Sequence, residues 1–162
     1  MKLNKLIKKN FSSFLFLFSI FFLDQMSKFI VLDYFSHSAD KIYIVNSFLS
    51  LNLIWNKGVA FGLLQFDDQV FYNLITLLIF IILFIVIWLV LKSRGLEKLS
   101  YLMISGGGFG NVFDRLYYGS VIDFIDLNYK NFHWFIFNVA DIFITLGIFT
   151  LIIIEIFRIK KQ

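Results

Sequence analysis

The chain has 162 residues, of which 59% are hydrophobic, 20% aromatic and only 16% charged, with a mean hydropathy of +0.81. Soluble domains carry more charge and less apolar content, so the composition points to a single polytopic membrane domain over residues 1–162. The absence of cysteine excludes disulfides, thiol nucleophiles and thiolate metal sites. The net charge of +4 does not indicate a nucleic-acid partner, because the basic residues fall at helix ends rather than along one face.

A bilayer core takes about 20 apolar residues per helix. Four segments meet that need: 11–32, 70–91, 99–116 and 134–157. The first has the basic start and apolar run of a signal peptide, but it leads into Asp24, Gln25 and Lys28 with no small-residue cleavage site. A retained helix is expected. Asp24 and Lys28 are four apart and share a helix face. They form either a structural ion pair or a contact that supports a site.

The segment 33–69 that follows is long for a connector. Within it, Leu49, Leu51, Leu53 and Trp55 alternate with Ser50, Asn52 and Ile54, the period of a half-buried strand. Asn56 to Leu64, with Gly58 and Gly62, suits a turn and a short segment lying at the membrane interface.

The third span holds Gly106-Gly107-Gly108-Phe109-Gly110-Asn111-Val112-Phe113-Asp114-Arg115. Gly106 and Gly110 have the small-xxx-small spacing that lets helices approach closely. No lysine with a serine or threonine follows to complete a phosphate-cradling loop. Asn111, Asp114 and Arg115 share one face, where a polar network with an Asp114–Arg115 pair is expected.

The segment 117–133 reads as a loop containing Asp123, and Tyr117, Tyr118 and Trp134 suit the headgroup level. The fourth span carries Asn138 and Asp141 on one face. A helix beginning at Trp134 would set Asp141 roughly 10 Å below the surface. His37 and His133 lack metal-ligand spacing and are expected on loop surfaces. Ser105 has neither a nearby histidine nor a nucleophile elbow, which argues against a serine protease.

Ten of the 15 basic residues lie at the N-terminus, in the 92–98 loop or at the C-terminus, all on one side of a four-span chain. The positive-inside bias then puts both termini in the cytoplasm. Asp123 and Asp141 fall on the other side, near the membrane's outer face. An unpaired carboxylate there is costly and marks function. Two carboxylates brought together share one proton. The charged one can deprotonate a water while the protonated one donates to a carbonyl, which hydrolyses a peptide bond without metal or cofactor.

With these motifs in hand, the chain resembles the lipoprotein signal peptidases, or signal peptidase II. Asp24-Gln25-Met26-Ser27-Lys28 is similar to the family's D-Q-x-x-K, and Asn56 to Gly62 to N-x-G-x-A-F-G. Gly106 to Arg115 is similar to G-G-x-x-G-N-x-x-D-R, Gly119 to Phe124 to G-x-V-x-D-F, and Phe137 to Asp141 to F-N-x-A-D. Five motifs in order cover nearly the whole chain. Val59 stands where alanine or glycine is common.

The resemblance implies a membrane all-α bundle of four transmembrane helices, with a small extramembrane β-sheet and a short interfacial helix between helices 1 and 2. It implies an aspartyl endopeptidase of the bacterial inner membrane. Asp123 and Asp141 would be catalytic, with Asp24, Lys28, Asn56, Gly58, Asn111, Asp114, Arg115, Asn138 and Ala140 lining or bracing the site. The implied substrate is a prolipoprotein carrying diacylglycerol on a cysteine, cut just before that cysteine. Membrane lipids and a cyclic lipopeptide inhibitor of the globomycin type are the other implied partners. Two rival readings are a small proton- or ion-coupled transporter and a non-enzymatic assembly subunit.

Overall fold

The computed structural model describes residues 2–40, 42–58, 69–129 and 132–159. Val59 and the expected interfacial helix of the 59–68 stretch lie outside the described residues. The elements run α1 (Lys2–His37), β1 (Ile42–Asn46), β2 (Leu49–Asn56), α2 (Gln69–Lys92), α3 (Gly95–Tyr118), β3 (Val121–Tyr129), β4 (Phe132–Phe137) and α4 (Val139–Ile159).

The helices α1, α2 and α4 contain stretches long and apolar enough to cross a membrane: Phe11–His37, Gln69–Lys92 and Val139–Arg158. Their outward faces are apolar and uncovered, as at Leu74, Phe84, Trp88 and Leu91 on α2. Lipid solvates such a face and water does not. The α3 helix is as long as α2, but glycines and charged residues dilute its apolar character. It packs against each of the other three helices. A Cβ on Gly107 would stand 2.5 Å from the Ala140 carbonyl oxygen, and one on Gly106 would stand 2.8 Å from Ile20 Cβ. The glycines therefore set how closely α3 meets α1 and α4.

The four strands form one antiparallel sheet in the order β1-β2-β3-β4. One hairpin joins α1 to α2 and the other joins α3 to α4, so the sheet covers a single end of the helix assembly. The expectation placed the sheet in the 33–69 segment alone, but half of it comes from 121–137, read as a loop and a helix start. Gly119 at φ 71° ends α3 in the left-handed conformation, and Val121-Ile122-Asp123-Phe124-Ile125 then extends beside β2. Val31, Ile122 and Phe124 form the core between the sheet and the end of α1.

The fourth helix begins later than expected. Phe132–Phe137 is strand, as its aromatic and β-branched residues favour. Asp141 therefore lies in the first turn of α4 rather than two turns below its start.

Candidate active site

Asn138 is the N-cap of α4. Its Oδ1 accepts a hydrogen bond from Asp141 N at 3.0 Å, and Asp141 Oδ2 accepts one from Asn138 N at 3.2 Å. This reciprocal capping box satisfies two backbone donors that the helix start would otherwise leave open. It also leaves Asn138 Nδ2 free to reach sideways. That group donates to Asp123 Oδ1 at 2.7 Å and to Asn111 Oδ1 at 3.1 Å. Asn111 Nδ2 in turn donates to Asp141 Oδ1 at 2.9 Å. One asparagine thus touches both aspartates, and a second completes the bridge.

Asp123 Oδ2 accepts from Asn56 Nδ2 at 2.8 Å, across the β2–β3 pairing. Asn56 Oδ1 accepts from Gly58 N at 2.8 Å, and the Gly58 carbonyl accepts from Arg115. Asp123, Asn138 and Asn56 are almost wholly buried. Burial above all, and then the nearby Asp141 charge, push Asp123 from 3.8 up to about 7. Its hydrogen bonds from Asn56 and Asn138 offset only part of that rise.

Beneath the pair lies a charged knot. Lys28 Nζ is 2.7 Å from both Asp24 Oδ2 and Asp114 Oδ2, and 3.2 Å from Asn111 Oδ1. Asp24 Oδ1 accepts from Ala140 N at 2.8 Å, and Asp114 Oδ2 accepts from Ile122 N at 3.2 Å. The knot thereby fixes α1, α3, β3 and the first turn of α4 together. Gly110 lies where any side chain would strike the Asp24 carboxylate.

All eleven residues expected at the site belong to this connected set. One expected contact does not form: Arg115 makes no ion pair with Asp114 among the described residues. Adjacent residues on a helix point in different directions. Lys28 takes Asp114, while Arg115 turns to Gly58 and lies 5.3 Å over the Tyr72 ring. Two contributors were missed. Gln25 Nε2 donates to Asp24, Asp114 and the Gly110 carbonyl, and it stood visible inside the first motif. Tyr72 donates to the Arg115 carbonyl at 3.2 Å, with no stronger signal than a polar ring near the start of an apolar helix. His37 ends α1 and is exposed; His133 is in β4 rather than on a loop.

Asp123 and Asp141 line one cavity of about 300 Å³. Asn56, Asn111 and Arg115 line its polar part, and Ile79, Gly108, Ile144 and Ile148 its apolar part, from α2, α3 and α4. Asp141 and Thr145 also border a shallower apolar cleft of about 290 Å³, with Phe137, Ile142 and Leu146. The arrangement offers two carboxylates, neutral amide donors and an apolar channel, which suits acid–base hydrolysis of a bond carried by an apolar chain.

Comparison with known proteins agrees with this chemistry. The profile of the signal peptidase (SPase) II peptidases matches residues 16–158. The lipoprotein signal peptidase of Pelagibacter ubique (strain HTCC1062) is 44% identical over 161 residues, 99% of this chain and 97% of that protein. That of Thermodesulfovibrio yellowstonii is 38% identical, covering 89% of this chain and 91% of the relative. A bacterial membrane enzyme solved by the in meso method at 2.3 Å resolution superposes with a TM-score of 0.77. It is 26% identical and covers 93% of this chain and 91% of its own. A second such enzyme, at 1.9 Å, gives 0.69 at 28% identity, over 89% of this chain and 92% of its own.

Proposed function

The chain belongs to the signal peptidase II family, and from that premise we propose that Asp123 and Asp141 are the catalytic pair with which it removes signal peptides from prolipoproteins. The observation that carries the assignment is the shared cavity: both carboxylates open onto it, and Asn138 binds each of them. In this reading Asp123 holds the shared proton near neutral pH. Asp141, held by a backbone donor, by Asn111 and by the positive end of α4, is the charged partner.

Asp141 takes a proton from a water placed between the two side chains as the water oxygen bonds to the scissile carbonyl carbon. Asp123 gives its proton to the carbonyl oxygen, which yields a tetrahedral diol. Asp141 then passes its proton to the departing amide nitrogen, the C–N bond breaks, and Asp123 recovers a proton from the collapsing diol. Both carboxylates return to their starting protonation states and one water is consumed, its hydrogens and oxygen divided between the new amine and the new carboxylic acid.

The substrate carries its apolar signal helix and diacylglyceryl group within the bilayer, so it approaches laterally. The apolar wall of Ile79, Ile144 and Ile148 fits that approach. The α3 helix is the fourth membrane span, packed against the other three so that its glycines and buried polar residues face protein rather than lipid. Both termini face the cytoplasm and the sheet lies at the outer face of the inner membrane, following the lysine and arginine bias. Tyr117, Tyr118 and Trp134, all exposed at the sheet end, suit that interface. A globomycin-type cyclic lipopeptide would occupy the same cavity. A transporter finds no support: both aspartates open onto one cavity at the sheet end, and the family is one of peptidases.

The test is cleavage of a diacylglyceryl-modified precursor by purified protein in detergent, followed by mass spectrometry. Asp123→Asn and Asp141→Asn should each lower turnover by at least about 10²-fold with wild-type helicity and thermal midpoint. Near-normal turnover in either folded variant overturns the assignment.

A further inference from the structure

Asp126 is fully buried, yet it neither lines the cavity nor joins the Lys28 knot. Its Oδ2 is 2.9 Å from His133 Nδ1 on β4 and 3.5 Å from Ser50 Oγ on β2. Its Oδ1 has no hydrogen-bond partner among the described residues. Ser50 Oγ also accepts from Asn128 Nδ2 at 2.6 Å, and Asn128 N donates to the Phe48 carbonyl at 3.0 Å. One buried carboxylate therefore ties together three strands, with a histidine whose side chain is 56% exposed.

The pair lies across an irregularity in the hairpin. Asp126 pairs with Ile136, but Asn128 pairs with His133, so Trp134 and Phe135 together oppose Leu127 alone. That is a bulge with its extra residue on β4. Asp123 lies three residues before Asp126, and Asn138 two residues beyond Ile136. The bulge therefore sits between the two strands that deliver Asp123 and the Asn138–Asp141 cap. Packing alone fixes it weakly, because Phe132, Trp134 and Phe135 are all more than half exposed. A strand without a buried face has a poorly specified register, and a slip of one residue turns each side chain to the opposite face.

We propose that the Asp126–His133 pair is a positioning clamp that fixes the β3–β4 bulge and so holds Asn138 and Asp141 in reach of Asp123. The proposal rests on the reading of Asp123 and Asp141 as the catalytic pair. Neither Asp126 nor His133 touches the reacting atoms. The buried carboxylate is kept, despite the cost of burying it, because it supplies a directional contact that joins β2, β3 and β4.

Three single variants of the full chain and one double variant test the clamp, assayed on a diacylglyceryl-modified precursor well below each thermal midpoint. His133→Phe keeps a ring and removes the donor. His133→Asn keeps an amide donor close to the place of Nδ1. Asp126→Asn keeps an acceptor oxygen. The expected result is a fall in kcat of about 10- to 100-fold for His133→Phe, the range typical of misplaced reacting groups, with KM unchanged because the apolar walls still bind the substrate. His133→Asn should recover most of that kcat, and Asp126→Asn should lose less than His133→Phe. The His133→Phe, Asp126→Asn double variant should be no slower than His133→Phe alone, since both changes act on one contact. Wild-type kcat in His133→Phe, or no recovery in His133→Asn, overturns the clamp. If His133→Phe does not fold, the comparison of His133→Asn with Asp126→Asn decides: large kcat losses in both conserving variants overturn the proposal. Asp123→Asn, run alongside, separately reports whether the catalytic assignment stands.

Discussion

Replacing Lys28 by methionine is the sharpest probe of how the site is held. Lys28 is 1% exposed, and Asp24 and Asp114 are fully buried. One ammonium at 2.7 Å from each carboxylate is their common counter-charge. Without it, Asp24 keeps its contacts with Ala140 N and Gln25, and Asp114 keeps Gln25 and Ile122 N. Those donors are neutral and do not cancel charge. Breaking a buried ion pair costs about 3–5 kcal/mol. The loss here stays near that figure rather than doubling, because a single ammonium is removed and the neutral donors to both carboxylates remain. For a chain of this length, about 2–4 °C per kcal/mol predicts a fall in thermal midpoint of roughly 6–20 °C. The assay is thermal unfolding in detergent, with cleavage measured at low temperature on the folded protein. Cleavage should fall less than in Asp123→Asn, since among the described residues Lys28 bonds to neither member of the aspartate pair and acts on it through Asn111, Asp24 and Asp114. Adding Asp24→Asn and Asp114→Asn to Lys28→Met should recover part of the midpoint by removing the stranded charges. A single variant with an unchanged midpoint, or a triple variant no more stable than the single one, refutes the charge argument.

Three other outcomes are expected. Asn138→Ala removes the α4 cap and the amide shared by Asp123 and Asn111; it should cost about 1 kcal/mol of stability but roughly 10²-fold in kcat, and a thermal shift with unchanged kcat would contradict it. Asp123, raised from 3.8 to about 7, contributes stability that is complete below pH about 4 and lost as pH rises through about 7. Melting of wild type from pH 5 to 8 should therefore show a downward slope that Asp123→Asn lacks, and turnover should decline above pH about 7 as this position ionises. Gly107→Ala should destabilise the fold by about 1–3 kcal/mol, since the new methyl meets the Ala140 backbone, which cannot swing away, as well as the Ile144 side chain; a wild-type midpoint would show that α3 and α4 can separate freely.

Much of the site was legible because the residues that carry it are polar groups in an apolar sequence. Asp24, Lys28, Asn111, Asp114 and Asn138 stand out where any unpaired charge or amide is costly. Their spacing placed Asp24 with Lys28 on one face, as the 2.7 Å contact bears out. The period-2 run of β2 was also readable, although its most buried members are Ser50 and Asn56 rather than the leucines. The second hairpin was not readable, because Phe132–Phe137 is as apolar as the helix it precedes, and apolarity without period does not separate strand from helix. The signal that could have separated them was Asn138-Val139-Ala140-Asp141, an N-cap with an acceptor three residues on. The ammonium that joins Asp24 to Asp114 was beyond sequence, since it depends on how α1 crosses α3.

The position of α4's first turn explains why the two carboxylates can differ in charge within one cavity. Asp141 stands at a helix N-terminus, where the aligned peptide dipoles favour an anion and an open backbone amide is available to it. Asp123 stands in a strand, whose dipoles largely cancel, and among the described residues its donors are the side-chain amides of Asn56 and Asn138. Had α4 begun at Trp134, Asp141 would sit mid-helix with its neighbours' amides already used, and both carboxylates would compete equally for the proton. The four aromatic and apolar residues Trp134–Phe137, by extending as strand, move the helix start down to the level of Asp123. In the proposed mechanism, the asymmetry that would separate acid from base is thus set by where a helix starts.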